Sequence, residues 1–561
     1  METSIHSTRK ITLGVAKLAL SAAGIFRLDR LTIGVVLLCA VMGPTFAEDE
    51  LHFRIEHFAI EGNSLLATAA IDDVLDPVRG DAKSLRDILT AVRQLRSAYR
   101  NEGYEAVQVV LPEQDISSGV IRLLVIEPRI TEIRVDYGTK SEAGNGKPLD
   151  ATDIERILPP LRIGQTPNIH AIDAAVRLAN ENPARRIQIE LESIAGNSIL
   201  ARVKVDTFPP LTWFSRLDNT GSAATGRTRL SVGFQQADFA GSDGLLAGQV
   251  SSSVERPRNN DSYSLGYRIP FFEQKLTLDF VAGHSDTDTG TTATSAGALQ
   301  FTGRGDVFAA RLTRQLPPAG PWEHSIFGGI EHKAMTNICS VGSFGAAGCG
   351  SAGVSLTLQP ASIGYSAKYA GEGAQFRGDL AYSANFSSGT KQRDLFAQAR
   401  TGAKPNYDVF RAQGEVATAL GGGWQARSVL AVQETSFPLV TAEQFGLGGA
   451  NSIRGYGERV QTNDRGWRLA LEAYTPGFGD WFDWPPGNVR AVVFHDTGAT
   501  RRNNVQPGEA SGTRLAGAGV GVRMFVGTNI QAQLDWAKAL VTNDGVLAGD
   551  DRVHFSLVLN W

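Results

Sequence analysis

The sequence predicts a mainly β protein, a transmembrane antiparallel β-barrel of about sixteen strands preceded by two small α/β units. Three observations point there. From about residue 211 onward apolar and polar side chains alternate with a period of two, which gives each strand one oily and one wet face. The connections between these segments alternate between tight turns and long loops, the asymmetry of a closed membrane barrel. The chain has 561 residues, beyond the roughly 250–300 that one conventional core supports, yet past residue 47 it has no uncharged apolar run long enough for a spanning helix. With 42% hydrophobic and 20% charged residues, 61 glycines and 3 cysteines, disorder and a disulfide scaffold are excluded. A net charge of -4 offers no basic footprint for nucleic acid.

Residues 1–47 read as a signal peptide. Arg9, Lys10, Lys17, Arg27 and Arg30 form a long charged leader, 31–42 is apolar, and Pro44-Thr45-Phe46-Ala47 supplies a cleavage site. The alternative is an uncut signal anchor, which the short apolar run disfavours. Leu38 before Cys39 argues against lipidation. Cleavage removes five basic and two acidic residues, leaving an exported chain with a net charge of -7.

Two α/β passes follow, at 52–129 and 130–207. The first reads as a strand at 53–60, a turn at 61–63 and a helix whose Leu85, Ile88, Leu89, Val92, Leu95 and Tyr99 recur at three- and four-residue steps. Gly103 ends that helix and strands at 106–111 and 120–127 close the unit. The second repeats the pattern, with a strand at 131–135 and helical stretches at 153–158 and 168–181. Ile169, Ile172, Val176 and Ala179 share one face of the latter, and strands at 186–192 and 199–206 complete the pass. Gly103-Tyr104, Leu111-Pro112-Glu113-Gln114-Asp115 and Val125-Ile126-Glu127, in this order of elements, resemble a POTRA domain. The likeness is to the first of the two periplasmic POTRA domains in two-partner secretion transporters, the ShlB/FhaC/HecB haemolysin secretion/activation family.

The barrel is expected over 210–561, with strands near 212–219, 228–239, 244–254, 262–271, 276–286, 305–316, 324–335, 356–370, 374–386, 407–420, 424–435, 465–477, 489–500, 514–526, 530–540 and 553–561. Ile530-Gln531-Ala532-Gln533-Leu534-Asp535-Trp536 shows the alternation most plainly. Turns such as Gly421-Gly422-Gly423 are tight, whereas the connections after the fifth, seventh, ninth and eleventh segments are long. Closure removes the strand edges that hydrocarbon would penalise. The ending Phe555, Leu557, Leu559 and Trp561 resembles the C-terminal signal read by the barrel-assembly machinery; a plain girdle aromatic is the alternative.

The connection over about 436–464 contains Phe445-Gly446-Leu447-Gly448-Gly449-Ala450-Asn451-Ser452 followed by Ile453-Arg454-Gly455-Tyr456. The last four resemble the family's (V/I)-R-G-(Y/F) signature, carried on a loop folded back into the lumen. Phe494-His495-Asp496-Thr497-Gly498 resembles the matching F-x-D-x-G wall motif at Phe494, Asp496 and Gly498. Strand parity puts Phe494 and Asp496 on one face with Arg490, inferred to line the lumen. The resemblance implies that Arg454 pairs with Asp496 and holds a lid. The other reading is a generic arginine in a polar lumen.

Cys339 and Cys349, expected in the long connection after the seventh strand, are a disulfide candidate in an exported chain; two free thiols are the alternative. Arg304-Gly305-Asp306, near an expected outer loop, reads as a chance tripeptide. No phosphate-binding loop, H-E-x-x-H or G-x-S-x-G occurs and the histidines are scattered, so catalytic, metal and cofactor assignments find no support. The resemblance implies an outer-membrane pore with periplasmic POTRA domains. These would capture a large exoprotein by strand addition and thread it outward without nucleotide. Its expected partners are that exoprotein, outer-membrane lipid and the barrel-assembly machinery, with no nucleic acid. The rivals are a BamA-like insertase, disfavoured by the count of two POTRA units, and a passive porin, which would leave those units without a purpose.

Overall fold

The computed structural model describes residues 52–138, 149–257, 260–294, 297–341, 346–387, 389–478, 487–543 and 545–561. The expected signal peptide, 1–47, lies outside the described residues. In the first α/β pass β1 (Phe53–Ile55) and β2 (His57–Glu61) precede α1 (Thr68–Leu75), β3 (Gly80–Lys83) and α2 (Leu85–Asn101), and β4 (Gln108–Val110) and β5 (Val120–Ile126) follow. β5 lies between β2, which runs parallel to it, and β4, which runs antiparallel, while β1 pairs with β3. Ile71 and Leu75 of α1 join Ile88, Ala91, Leu95 and Tyr99 of α2 against Ile121, Leu123 and Val125 of the sheet. Leu85 and Leu89, which share the helical spacing, are exposed instead. The core face of the helix is carried by Ile88, Ala91, Leu95 and Tyr99.

The second pass has the same strand order. β6 (Arg129–Tyr137) runs parallel to β8 (Ser198–Thr207), which also pairs with β7 (Arg185–Ile194), and α3 (Ala151–Ile157) and α4 (Ile169–Ala179) fall between β6 and β7. Gly103 does more than end α2. Its φ of +91° suits glycine, and a Cβ there would sit 2.6 Å from Asn168 Oδ1. Asn168 also accepts from the Ala171 N–H (2.9 Å) and donates to the Glu102 carbonyl (2.7 Å), so one side chain caps α4 and ties the two passes together.

A closed antiparallel barrel follows. Its strands are β9 (Leu211–Asp218), β10 (Arg229–Phe239), β11 (Gly244–Ser253), β12 (Asn260–Phe271), β13 (Leu276–Thr294), β14 (Gly297–Gln315), β15 (Trp322–Val341), then β16 (Leu356–Leu358) and β17 (Pro360–Gly371). β16 and β17 both pair with β15 and are successive stretches of one strand. After β18 (Ala374–Asn385) comes α5 (Thr390–Ala399), then β19 (Asp408–Gly421) and β20 (Trp424–Glu434). The next connection carries its own two-stranded ladder, β21 (Phe445–Leu447) with β22 (Gln461–Asn463). β23 (Arg465–Tyr474), β24 (Gly487–Arg501), β25 (Gly512–Val526), β26 (Ile530–Ala539) and β27 (Asp551–Asn560) complete a ring of 16 strands, with β27 returning to β9. The fold class read from the alternation is therefore met.

The alternation sorts side chains as expected. On β26 Leu534 and Trp536 are exposed on the outer face while Asp535 and Ala537 are buried. The turn Gly421-Gly422-Gly423 has three consecutive positive φ values, a path only glycine follows without strain. At the closing seam β9 ends at Asp218, and the side chain of Asn219 continues the ladder like a peptide unit. It donates to the Val553 carbonyl (2.7 Å) and accepts from the Phe555 N–H (3.0 Å). The backbone of Trp561 exchanges two hydrogen bonds with that of Trp213.

Three expectations need correcting. β13, β14 and β15 run 19, 19 and 20 residues, far past the apolar stretches that marked them. Once the outer-facing apolar residues end, polar pairs carry the ladder on: His284 meets Asp306 (2.6 Å) and Arg304 meets Asp286 (2.8 Å). Arg304-Gly305-Asp306 is thus inside β14 and not beside a loop, with both charged side chains engaged across the ladder. Cys339 likewise lies within β15, and not in the connection after it, because the ladder with β14 runs on past the expected end at 335 and pairs Cys339 with Phe301.

Candidate functional site

The site is assembled by the connection between β20 and β23. Its β21–β22 ladder makes a stem, and beyond it the glycines fold the tip. Gly448, Gly449 and Gly455 have φ of +100°, +109° and +97°. The Glu458 carboxylate accepts from the Ala450 N–H (2.7 Å), and the Ile453 carbonyl from the Gly449 N–H (3.2 Å), so the tip has a defined shape of its own. Leu447, Ile453 and Tyr456, all fully buried, pack with Leu515 and Ala539, which project inward from β25 and β26. The Tyr456 hydroxyl lies 2.6 Å from the Val541 carbonyl and 3.0 Å from that of Ala516, and accepts from the Val541 N–H at 3.1 Å.

This seat presents Arg454 to the wall. Its Nε and Nη2 donate to Oδ2 and Oδ1 of Asp496, both at 2.7 Å, and its own backbone N–H donates to Oδ2 at 3.0 Å. The fork matches the two carboxylate oxygens, the geometry a lysine cannot reproduce. The remaining nitrogen, Nη1, meets Glu472 Oε1 at 2.9 Å and Asp535 Oδ2 at 3.5 Å. The guanidinium carbon sits 3.5 Å from the centre of the Phe494 ring, a cation–π contact. Arg454 is 4% exposed, and Asp496 and Asp535 are completely buried.

The acidic partners are supported in turn. Asp535 accepts from Arg523 Nη1 (2.6 Å) and Nη2 (3.0 Å), and Glu472 from Arg427 Nη1 (2.9 Å) and the Tyr474 hydroxyl (2.5 Å). Carboxylates from three strands, β23, β24 and β26, therefore converge on one arginine from the loop, with further arginines limiting their mutual repulsion. Removing one member of such a buried network leaves charge without its partner, typically costing about 3–5 kcal/mol, whereas the intact pair contributes little net stability. The arrangement suits specific positioning more than fold stabilisation.

Glycines make the close approach possible. Gly517, Gly519 and Gly521 face inward on β25, and a Cβ on Gly517 would lie 1.9 Å from the Arg454 carbonyl oxygen. One on Gly519 would lie 2.7 Å from Phe494 Cζ, and one on Gly521 1.9 Å from Asp535 Oδ1. Gly498 of the wall motif faces Leu447, whose Cδ2 would be 3.0 Å from a Cβ. Gly455 crosses the backbone of β26 and donates its N–H to His554 Nε2 at 3.2 Å, which leaves the ring proton on Nδ1. Glu472, Asp535 and this glycine series were not singled out in the sequence. The available signal was Ala516-Gly517-Ala518-Gly519-Val520-Gly521, where glycine occupies three successive inward positions of a strand.

The other sequence-derived residues fall elsewhere. His495, between the two wall residues, is on the outer face, away from Arg454. Phe555, Leu557 and Leu559 share the outer face of β27, and Trp561 at its end is exposed. Cys339 and Cys349 are joined in a disulfide that ties the 3-10 segment Ala346–Gly353 to β15.

Comparisons with known proteins can be set beside this geometry. Residues 196–524 match the family described as haemolysin secretion/activation protein ShlB/FhaC/HecB, and residues 53–128 match the POTRA domain, ShlB-type. The outer membrane transporter CdiB of Dickeya dadantii is 21% identical over 492 residues, covering 86% of this chain and 81% of that protein. CdiB of Escherichia coli is 23% identical over 291 residues, so that alignment spans about half of each chain (51% and 47%). Among solved structures, CdiB from Escherichia coli has a TM-score of 0.76 at 19% identity, covering 93% of both chains. CdiB from Acinetobacter baumannii has a TM-score of 0.73 at 16% identity, covering 92% of this chain and 91% of that one. At such identities the structural likeness speaks to the fold, and the family rests on the sequence match, which spans more than half of the chain. With barrel, POTRA units and sequence in agreement, the chain belongs to the haemolysin secretion/activation family, outer-membrane transporters with periplasmic POTRA domains that secrete a partner exoprotein.

Proposed function

We propose that the chain exports one large exoprotein by threading it through the barrel, and that the connection bearing Arg454 is the gate of that path. The observation that carries this reading is the seating of the tip against the inner wall through a single forked arginine. Arg454 bonds to Asp496, Glu472 and Asp535 together, so the ionic ties of the tip to three strands all run through one residue. Capture is assigned to the POTRA units, residues 52–129 and 130–207. In the first sheet β2 and β4 flank β5 and each leaves an outer edge on which an extended segment can be added as a strand. Folding of the cargo outside gives the process direction without nucleotide. The outward apolar series supports contact with outer-membrane lipid, and the last strand, with Phe555, Leu557, Leu559 and Trp561, supports delivery by the barrel-assembly machinery.

The test is export of a candidate exoprotein by cells carrying wild type, Arg454→Ala or Asp496→Asn, with single-channel recording of the purified proteins. Altered export together with more frequent large openings is expected for both variants. Wild-type export and wild-type conductance in both would overturn the gate assignment.

A further inference from the structure

The same connection is fixed at its feet by charges in the reverse order. On the β20 side the 3-10 turn Thr441–Glu443 brings Glu443 to 3% exposure. Its Oε1 accepts from Lys333 Nζ on β15 (3.0 Å) and its Oε2 from Arg411 Nη2 on β19 (2.7 Å). Its carbonyl accepts from Gln433 Nε2 on β20 (2.8 Å). Just before it, Leu439 and Val440 are buried with Phe396, Tyr407 and Val409 under α5. At the β23 side Asp464 is completely buried and accepts from Arg400 Nη2 (2.6 Å), the Leu439 N–H (2.7 Å) and the Asn503 N–H (2.6 Å). The tip therefore offers a base to acids of the wall, while the feet offer acids to bases held by β15, β19 and the end of α5.

We propose that Glu443 is a positioning residue, a second ionic fastener that holds the foot of the connection in place while the Arg454 tip is released. Opening is then a swing of the segment beyond the β21–β22 stem, and the feet stay on the wall. This deepens the gate reading and rests on it for its role in export, but the fastening itself has a separate physical signature. Glu443 and Arg454 touch different strands and share no partner, so loss of either leaves the other's contacts complete.

The experiment uses the full-length protein in detergent and a membrane-impermeant maleimide, with cysteine placed at the foot (Val440→Cys) or the tip (Ser452→Cys). The native disulfide does not react, and Cys39 of the expected signal peptide is replaced by serine in every variant. Glu443→Gln is expected to raise the labelling rate of Val440→Cys by about tenfold, the factor that accompanies loss of a modest interaction, and to leave Ser452→Cys unchanged. Arg454→Ala is expected to do the reverse. The heat-modifiable gel shift of a closed barrel verifies folding of each variant, and Glu443→Asp, which keeps the charge, serves should Glu443→Gln not assemble, with a smaller rise expected. Unchanged labelling of Val440→Cys in folded Glu443 variants would overturn the proposal. Equal labelling of foot and tip in Arg454→Ala would also overturn it, because the connection would then move as one body. Failure of the gate reading is a different result: wild-type conductance in Arg454→Ala, whatever the labelling pattern.

Discussion

Arg454 works through shape as well as charge. Arg454→Lys keeps the positive charge but cannot span both Asp496 oxygens and reach Glu472 together, so it is expected to open the channel nearly as often as Arg454→Ala in planar-bilayer recordings. Gly517→Ala makes the complementary case from the wall. Its new methyl would meet the Arg454 carbonyl oxygen, so it should unseat the tip and give the same openings with every charge intact; conductance at the wild-type level would show that the tip is not held at that distance. In the first POTRA unit the Tyr99 hydroxyl donates to Asn63 Oδ1 at 2.6 Å, and Tyr99→Phe should cost about 1 kcal/mol in its unfolding by denaturant. Burial pushes this hydroxyl up from 10.0 to about 12, so its contribution is complete below pH 10 and fades as pH rises through the folded value. Arg454 and Asp496 were legible because each sits in a short motif whose pattern survives in one dimension. Glu472, Asp535 and Gly517 were not, since which residues meet across a barrel depends on strand register, and alternation leaves register open.

The same contrast holds for elements. α2 was legible from its long apolar stripe and carries a capping box in which Ser84 and Asp87 satisfy one another's backbone. Hydrogen bonds from the Ser84 N–H and hydroxyl hold the Asp87 carboxyl below its usual 3.8. A depressed carboxyl stabilises above the unfolded value and loses that contribution as pH falls through the folded one. Hydrogen exchange at the start of α2 should therefore accelerate below about pH 4, and Asp87→Asn should remove that acid dependence; an unchanged profile would refute it. α1 escaped notice because eight residues with only Ile71 and Leu75 buried give too few turns for a period to emerge. The extensions of β13 to β15 were missed for another reason. Outside the lipid band a strand no longer needs an apolar face, so the pattern that marks a membrane strand stops before the strand does.

At the level of the whole molecule, the proposed mechanism gives the barrel and the POTRA units separable duties. Deleting residues 52–206 should leave a heat-modifiable barrel that inserts in the membrane but exports no cargo; retained export would remove the capture step from the mechanism. The closing seam has a further meaning. β27 and β9 match over five residue pairs, against eight between β9 and β10, and the joint is completed by the Asn219 side chain and by the backbone of Trp561 with that of Trp213. Two strands more than three hundred residues apart in sequence must thus find each other to seal the ring. A slip at that overlap would leave an unfinished hoop with bare amides turned toward oil, so a brief match between two distant stretches decides whether the whole ring is sealed.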